Sequence, residues 1–114
     1  MTTFAVIIQN RQGDRTVVLL DTGRKVFGRF LPPFTDVPLR DLSLGSQTHV
    51  AKRHFEIRWN ESAGCHEIRD LAPRYPTKVN GVALGKDPRP LQHGDVIEIC
   101  VFRLEYVSGG GPVV

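Results

Sequence analysis

Long hydrophobic runs are absent from this chain of 114 residues, and methionine, tryptophan and cysteine are all scarce. No segment approaches the ~20 consecutive apolar residues that span a bilayer. The apolar run Phe4–Ile8 is too short for the core of a signal peptide, and it lacks basic flanks and a cleavage pattern. We therefore expect a cytoplasmic protein that has no membrane partner.

The two cysteines, Cys65 and Cys100, form no Cys-x-x-Cys pair, and no clustered histidines accompany them. This pattern excludes the usual zinc sites, and nothing else in the chain indicates a cofactor. Both cysteines lie in apolar contexts of predicted strands, where reduced core thiols are more typical than a disulfide. The sequence thus predicts two unpaired thiols.

An excess of charge of one sign is also missing. The 15 basic and 12 acidic residues are interspersed and give a net charge of +3. This balance is too mild to indicate nucleic-acid binding, although it suits an anionic ligand. The aromatic residues alternate with charged ones, as in half-buried strands rather than in a nucleic-acid-binding sheet face. The length fits one domain with a single core.

Helical signals are nearly absent, whereas short segments rich in Val, Ile, Phe and Leu recur every 8–12 residues or so between Gly, Asp, Asn and Pro. This spacing predicts an all-β fold, an antiparallel β-sandwich of about ten or eleven short strands. The strands that the pattern locates are Phe4–Asn10, Thr16–Asp21, Lys25–Arg29, Val37–Leu39, His54–Trp59, His66–Asp70, Lys78–Asn80, Val96–Cys100 and Phe102–Val107.

Glycine and proline mark the connections. Asn80-Gly81 predicts a two-residue hairpin turn, because both residues tolerate positive φ. Neither proline of Leu31-Pro32-Pro33-Phe34 can donate a hydrogen bond to a sheet, so this segment is predicted to be a loop. Glycine recurs from Ser108 onward, which divides the chain into a domain at 1–107 and a flexible tail or linker at 108–114.

Several short motifs, in their order and spacing, resemble the forkhead-associated (FHA) domain family. They are Val26-Phe27-Gly28-Arg29, Val50-Ala51-Lys52-Arg53-His54-Phe55, Asp70-Leu71, Thr77-Lys78-Val79-Asn80-Gly81 and Leu91-Gln92-His93-Gly94-Asp95-Val96-Ile97. The resemblance spans about residues 25–107. It implies an FHA/SMAD-like β-sandwich whose loops at one rim bind phosphothreonine peptides.

A phosphothreonine site needs fixed cations and hydrogen-bond donors, because charge-assisted bonds hold a dianion against competing water. The resemblance implies that Arg29 contacts the phosphate and the peptide backbone. Lys52 and Arg53 add cationic attraction, Arg74 adds a second guanidinium, and Tyr75 can stack or donate through its hydroxyl. These five residues form the predicted phosphopeptide site.

The chain departs from the family pattern at two of the phosphate-facing positions. Ala51 stands where many members have a serine that donates to phosphate, and Tyr75 stands where members have an asparagine. Pro73 and Pro76 stiffen the loop and remove backbone donors. The resemblance also implies that His54 braces the binding loops rather than acting in catalysis.

Two functions remain open at this point. The first is a protein-interaction module for a phosphothreonine-containing or acidic protein partner, and the second is a degenerate FHA domain that binds or assembles without phosphate. An enzyme is not expected, since the chain has no glycine-rich phosphate cradle, no metal-ligand spacing and no close-set carboxylates. The sequence leaves the oligomeric state open.

Overall fold

A computed structural model describes residues 3–39, 50–71 and 73–109 of the chain. Within these ranges the fold is entirely β, with no helix, which confirms the predicted sandwich. All nine strands located from the sequence are present to within two residues at each end. The strands are β1 (Thr3–Gln9), β2 (Arg15–Leu20), β3 (Arg24–Gly28), β4 (Val37–Pro38), β5 (Phe55–Asn60), β6 (Cys65–Asp70), β7 (Lys78–Val79), β8 (Val82–Ala83), β9 (Arg89–Pro90), β10 (Val96–Ile99) and β11 (Phe102–Gly109).

The strands form two sheets. One sheet has six strands in the order β2-β1-β11-β10-β7-β8, and the other has five in the order β4-β3-β5-β6-β9. Every pair is antiparallel except β3 and β4, where Phe27 lies beside Val37 in parallel register. The exception has a local cause, because Asp36 donates its N–H to the Val26 carbonyl and the chain then runs on beside β3 in the same direction.

Two strands, β8 and β9, were missed by the sequence pattern. Each contains two residues, like β4 and β7, and lies beside glycine or contains proline, which are typical of turns. The predicted turn before β8 is present: Asn80 and Gly81 have φ values of 53° and 83°, as a two-residue hairpin with right-handed twist requires. Asn80 also accepts a hydrogen bond from the Val96 N–H, which ties the hairpin to β10.

The core lies between the sheets and is built from alternate residues of their strands. Its centre contains Phe27 and Phe55, which lie in register on β3 and β5 and stack with ring centroids 4.8 Å apart. The buried residues that surround them come from both sheets and include Val6, Ile57, Ile68, Val79, Ile97, Leu104 and Tyr106.

A buried polar contact crosses the core at His66. Its Nδ1 lies 3.0 Å from the Tyr106 hydroxyl and its Nε2 lies 2.7 Å from the Asp21 carbonyl oxygen. Burial lowers the pKa of His66, with the Asp21 carbonyl opposing it, and burial raises the pKa of Tyr106 to about 12. A neutral imidazole satisfies both contacts, since one nitrogen donates to the carbonyl and the other accepts from the hydroxyl.

On the outer face of the five-stranded sheet, Glu56 is almost fully buried beneath two arginines. It pairs with Arg24 of β3 and, at 2.7 Å, with Arg69 of β6. Burial favours the protonated form of Glu56, but hydrogen bonds and charge from Arg24 and Arg69 outweigh this and lower its pKa. The three side chains therefore cross-link three adjacent strands.

The cysteines are both free, but their predicted position in the core was wrong. Cys65 is half-buried where β6 begins, and Cys100 is exposed in the turn between β10 and β11 with φ of 52°. The apolar neighbours of Cys100 belong to the strands on either side of the turn, so their burial does not extend to the thiol.

The first and last described strands pair with each other, because β1 and β11 run antiparallel from Gln9–Arg103 to Thr3–Gly109. The last strand therefore includes Ser108 and Gly109, the first two residues of the predicted tail. The other tail residues lie outside the described part of the chain. In the described ranges no helix is long and apolar enough to cross a membrane.

Candidate functional site

Three connections gather at one end of the sandwich, where β3 ends, β5 begins and β6 ends. They are residues 29–36, residues 50–54 and residues 71–77 (described except for 72), and we call them together the rim. The third connection leads from the five-stranded sheet to β7 of the other sheet. Thr3 and Gly109 pair at the opposite end of β1 and β11, so the rim lies far from both described chain ends.

The first two connections are held together through the backbone. Arg29 and Phe30 donate their N–H groups to the carbonyls of Ala51 and Lys52, at 2.9 and 3.2 Å. This contact is possible only because residue 28 is glycine. A Cβ on Gly28 would lie 2.3 Å from the Lys52 carbonyl oxygen, well inside van der Waals contact.

Arg29 and Lys52 point toward the same aromatic ring. The Arg29 Nε donates to the Val50 carbonyl at 3.1 Å, which fixes the plane of the guanidinium. Its Cζ lies 5.8 Å from the centroid of the Phe30 ring, and the Lys52 Nζ lies 5.2 Å from that centroid. The two cations are thus positioned on one surface by a backbone carbonyl and by cation–π attraction.

His54 braces the rim, as the resemblance implied. Its Nδ1 accepts from the Ala51 N–H at 2.9 Å, its own N–H donates to the Phe27 carbonyl, and its carbonyl accepts from the Leu71 N–H. Burial lowers the pKa of His54, opposed by the Asp70 carboxylate and the Tyr75 backbone. The Tyr75 contact is electrostatic rather than a well-formed hydrogen bond, because the buried Nε2 has no partner within bonding geometry among the described residues.

The third connection is closed at its base and open at its tip. Thr77 is buried and donates its N–H to the Asp70 carboxylate at 3.1 Å, which ties the two ends of the loop together. At the tip, Arg74 and Tyr75 are exposed, and the Arg74 Cζ lies 5.8 Å from the centroid of the Tyr75 ring. The loop therefore presents one guanidinium and one aromatic ring to solvent.

Two aromatic residues of the rim were missed from the sequence. Phe30 and Phe34 pack edge to face with ring centroids 5.5 Å apart, and Phe34 is exposed beside the exposed Leu31. The Thr35 hydroxyl donates to the Phe30 carbonyl and closes this loop. The sequence did contain a signal for them, because a phenylalanine in a proline-rich loop lies outside the strands that form the core.

The five predicted residues all belong to the rim. Arg29 and Lys52 share the Phe30 ring, Arg74 and Tyr75 contact each other, and Arg53 is exposed next to Lys52. Cations therefore come from all three connections. Among residues 3–39, 50–71 and 73–109 no group of His, Cys, Asp and Glu is arranged to hold a metal ion.

Comparison with known proteins identifies relatives of this chain. The FHA domain model matches residues 22–100. An oxoglutarate dehydrogenase inhibitor from Corynebacterium efficiens is 35% identical over 94 residues, which is 80% of this chain and 56% of the relative. The inhibitor of the same name from Corynebacterium glutamicum is 34% identical over 94 residues, 80% of this chain and 55% of that one. The chain thus spans about half the length of these curated relatives.

Solved structures show the same fold. The FHA domain of FhaA, complexed with the intracellular domain of another protein, is 26% identical with a TM-score of 0.68, covering 89% of this chain and 98% of that one. A structure from a study of phosphothreonine-dependent FHA domain interactions is 25% identical with a TM-score of 0.70, covering 96% of this chain and 99% of that one.

Proposed function

The chain belongs to the FHA domain family, and we propose that its rim binds a phosphothreonine-containing segment of a protein partner. One observation carries this proposal: Arg29 and Lys52, from separate connections, are fixed on one surface around Phe30. Cations that are already oriented lose little conformational entropy when a dianion arrives. Arg53 and Arg74 extend the positive surface on either side.

The exposed apolar residues of the rim suit a peptide rather than a free phosphate ion. Phe34, Leu31 and Tyr75 are exposed beside the cations. An isolated phosphate gains nothing from such groups, whereas a peptide can place its phosphate on the cations and a neighbouring apolar side chain on the rings. We infer that residues flanking the phosphothreonine contribute to recognition here.

Ala51 and Tyr75 favour a second candidate, binding of a protein partner without phosphate. The Ala51 side chain has no donor, and its N–H is already bonded to His54. Loss of one hydrogen bond to a charged group costs about 1.5–3 kcal/mol, so phosphate binding here should be weaker than in members with an intact loop set. In this second candidate the partner binds the same rim, through apolar side chains and through acidic groups that face the cations.

The proposed setting is a cytoplasmic, non-catalytic module that brings proteins together in signalling. The FHA family is an interaction module, and the corynebacterial relatives are named as inhibitors rather than enzymes. An inhibitor acts by contacting another protein, which fits a binding role for the part of the relatives that this chain matches.

Titration with a phosphothreonine peptide library and with the same peptides unphosphorylated tests the proposal. We expect binding that requires phosphate and that Arg29→Ala abolishes, because this change removes a rim cation whose orientation a backbone carbonyl fixes. Lys25→Ala is the matched control, since it removes a positive charge at the opposite end of the same strand. If the protein partner binds Arg29→Ala as well as the unchanged chain, the phosphate-independent candidate is correct.

A further inference from the structure

The four edge strands that the described residues form differ sharply in how they are protected. β4, β8 and β9 contain two residues each, and β4 and β9 carry Pro38 and Pro90. The remaining edge, β2, has six residues, Arg15–Leu20, and no proline. A short strand or a proline prevents a second chain from adding to a sheet edge, and β2 has neither protection.

The side chains of β2 are also unusual for a free edge. Val17 and Leu19 are 53% and 65% exposed on the outer face of the six-stranded sheet. They lie in register with Ile7 and Ala5 of β1, which are buried, so the apolar surface that they expose lies at the edge itself. Edges that stay unpaired usually carry a charged side chain among such residues, but the only charge on β2 is Arg15 at its first position.

We propose that two copies of this chain associate through antiparallel pairing of their β2 strands, about a two-fold axis at Val18. In an antiparallel pair, residues directly opposite each other must both direct their N–H and C=O groups toward the partner strand or both away from it. Self-pairing of one strand meets this condition only when a residue lies opposite its own copy. The axis must therefore lie at Val17, Val18 or Leu19 for most of the strand to pair.

The charged and apolar side chains of residues 15–21 favour one of these three registers. An axis at Val18 places Arg15 opposite the partner's Asp21, Val17 opposite the partner's Leu19, and pairs all six residues of the strand. An axis at Val17 would place Arg15 against the partner's Leu19. An axis at Leu19 would place Val17 against the partner's Asp21. The Val18 register alone forms two symmetric ion pairs, together with two pairs of Val17 with Leu19 and one of Val18 with its own copy.

This register joins the two six-stranded sheets into one continuous sheet with both sandwiches on the same side. The exposed Val17 and Leu19 of each copy then form one cross-strand apolar row with those of the other. Because the contact is small and centred on backbone hydrogen bonds, we expect a weak dimer, with a dissociation constant of roughly 10–500 µM. None of the rim residues enters this interface, which consists of residues 15–21.

Sedimentation equilibrium of the full chain from about 5 µM to 1 mM tests the proposal through a charge exchange. Arg15→Asp places like charges opposite each other in the homodimer, and so does Asp21→Arg. Each variant alone should dimerise roughly tenfold more weakly. An equimolar mixture of the two should recover association, because both opposite-charge pairs re-form in the heterodimer. Recovery in the mixture also shows that neither variant failed through misfolding.

Two lysine variants separate the β2 edge from the other edge of the same sheet. Leu19→Lys should abolish the dimer. Val82→Lys, which changes an exposed valine on β8 (58% exposed), should leave it unchanged, and so should Arg29→Ala on the rim. A chain that stays monomeric to 1 mM overturns the proposal, as does a dimer that Leu19→Lys does not weaken or a mixture that fails to recover. Loss of phosphopeptide binding alone would leave it intact.

Discussion

The carbonyl oxygen of Lys52 occupies the space that a side chain at Gly28 would enter, 2.3 Å from the position of its Cβ. The same carbonyl accepts the N–H of Phe30, and Ala51 next to it accepts that of Arg29. The absence of one methyl group thus sets the separation between the loop that carries Arg29 and the segment that carries Lys52. Backbone packing, rather than the charged side chains, therefore sets the geometry of the rim.

Gly28→Ala is therefore expected to destabilise the fold by about 2–3 kcal/mol, because backbone rather than a flexible side chain blocks the new methyl group. Gly85→Ala is the matched control, since nothing lies within 4 Å of its Cβ. That change should alter the free energy of unfolding by less than about 1 kcal/mol. Urea unfolding of both variants checks the pair, and equal effects would contradict the close contact at Gly28.

Most of the fold could be predicted from the sequence because strand alternation and turn residues act locally. The Asn80-Gly81 turn is an example, since two adjacent residues specify its φ values. The parallel β3–β4 pair could not be predicted in this way. It depends on a bond between Asp36 and Val26, which are joined only after a proline-rich loop has folded back.

The site was predicted less completely, for a similar reason. Arg29 and Lys52 could be named because each has a position in a short motif of the family resemblance, and Arg74 because it lies in the loop between two such motifs. The role of Phe30 could not be predicted from the sequence, because its ring contacts cations from two separate segments. The exposure of Cys100 could not be predicted either, because it follows from the turn geometry rather than from the neighbouring apolar residues.

Ala51→Ser should tighten phosphothreonine binding by about 0.5–2 kcal/mol, a charge-assisted hydrogen bond offset by ordering of the new rotamer. The backbone of residue 51 is already fixed by His54 and Arg29, so the hydroxyl would be added to a rigid segment. Calorimetric titration with a phosphopeptide and its unphosphorylated twin measures the gain.

Two comparisons make this change specific. The gain should be absent for the unphosphorylated peptide and should shrink in Arg29→Ala, because two donors to one dianion are coupled. Tyr75→Asn alone should produce a smaller effect, since Pro73 and Pro76 still constrain that loop. If no phosphopeptide binds Ala51→Ser more tightly, partners must bind this sandwich in some other way.

Acid should destabilise the protein as the pH falls below about 6.5. Burial lowers the pKa of His54 and of His66 from the ordinary value of 6.5. The unfolded chain then takes up protons that the folded chain resists, so the free energy of unfolding is constant above this pH and decreases below it. The slope can reach about 1.4 kcal/mol per pH unit for each histidine.

Urea midpoints between pH 7.5 and 5 measure this effect before the carboxylates contribute. Glu56 and Glu67 have pKa values lowered from 4.5, so their share of stability is present at pH 5 and is lost only in stronger acid. The imidazole C–H resonances of His54 and His66 should stay unchanged through pH 6.5. Unchanged midpoints down to pH 5.5 would show that neither ring is held neutral by the fold.

Cys100→Gly should stabilise the fold by about 0.5–1 kcal/mol. Cys100 has φ of 52° in the two-residue turn between Ile99 and Phe102, a conformation that costs a non-glycine residue about 1–2 kcal/mol. Glycine removes this cost but gains freedom in the unfolded chain, which cancels part of the benefit. Cys100→Ala removes the same exposed thiol and keeps the backbone cost, so the difference between the two variants isolates the conformation. Urea unfolding should place Cys100→Gly above Cys100→Ala; the reverse order would mean that the turn does not hold residue 100 at positive φ.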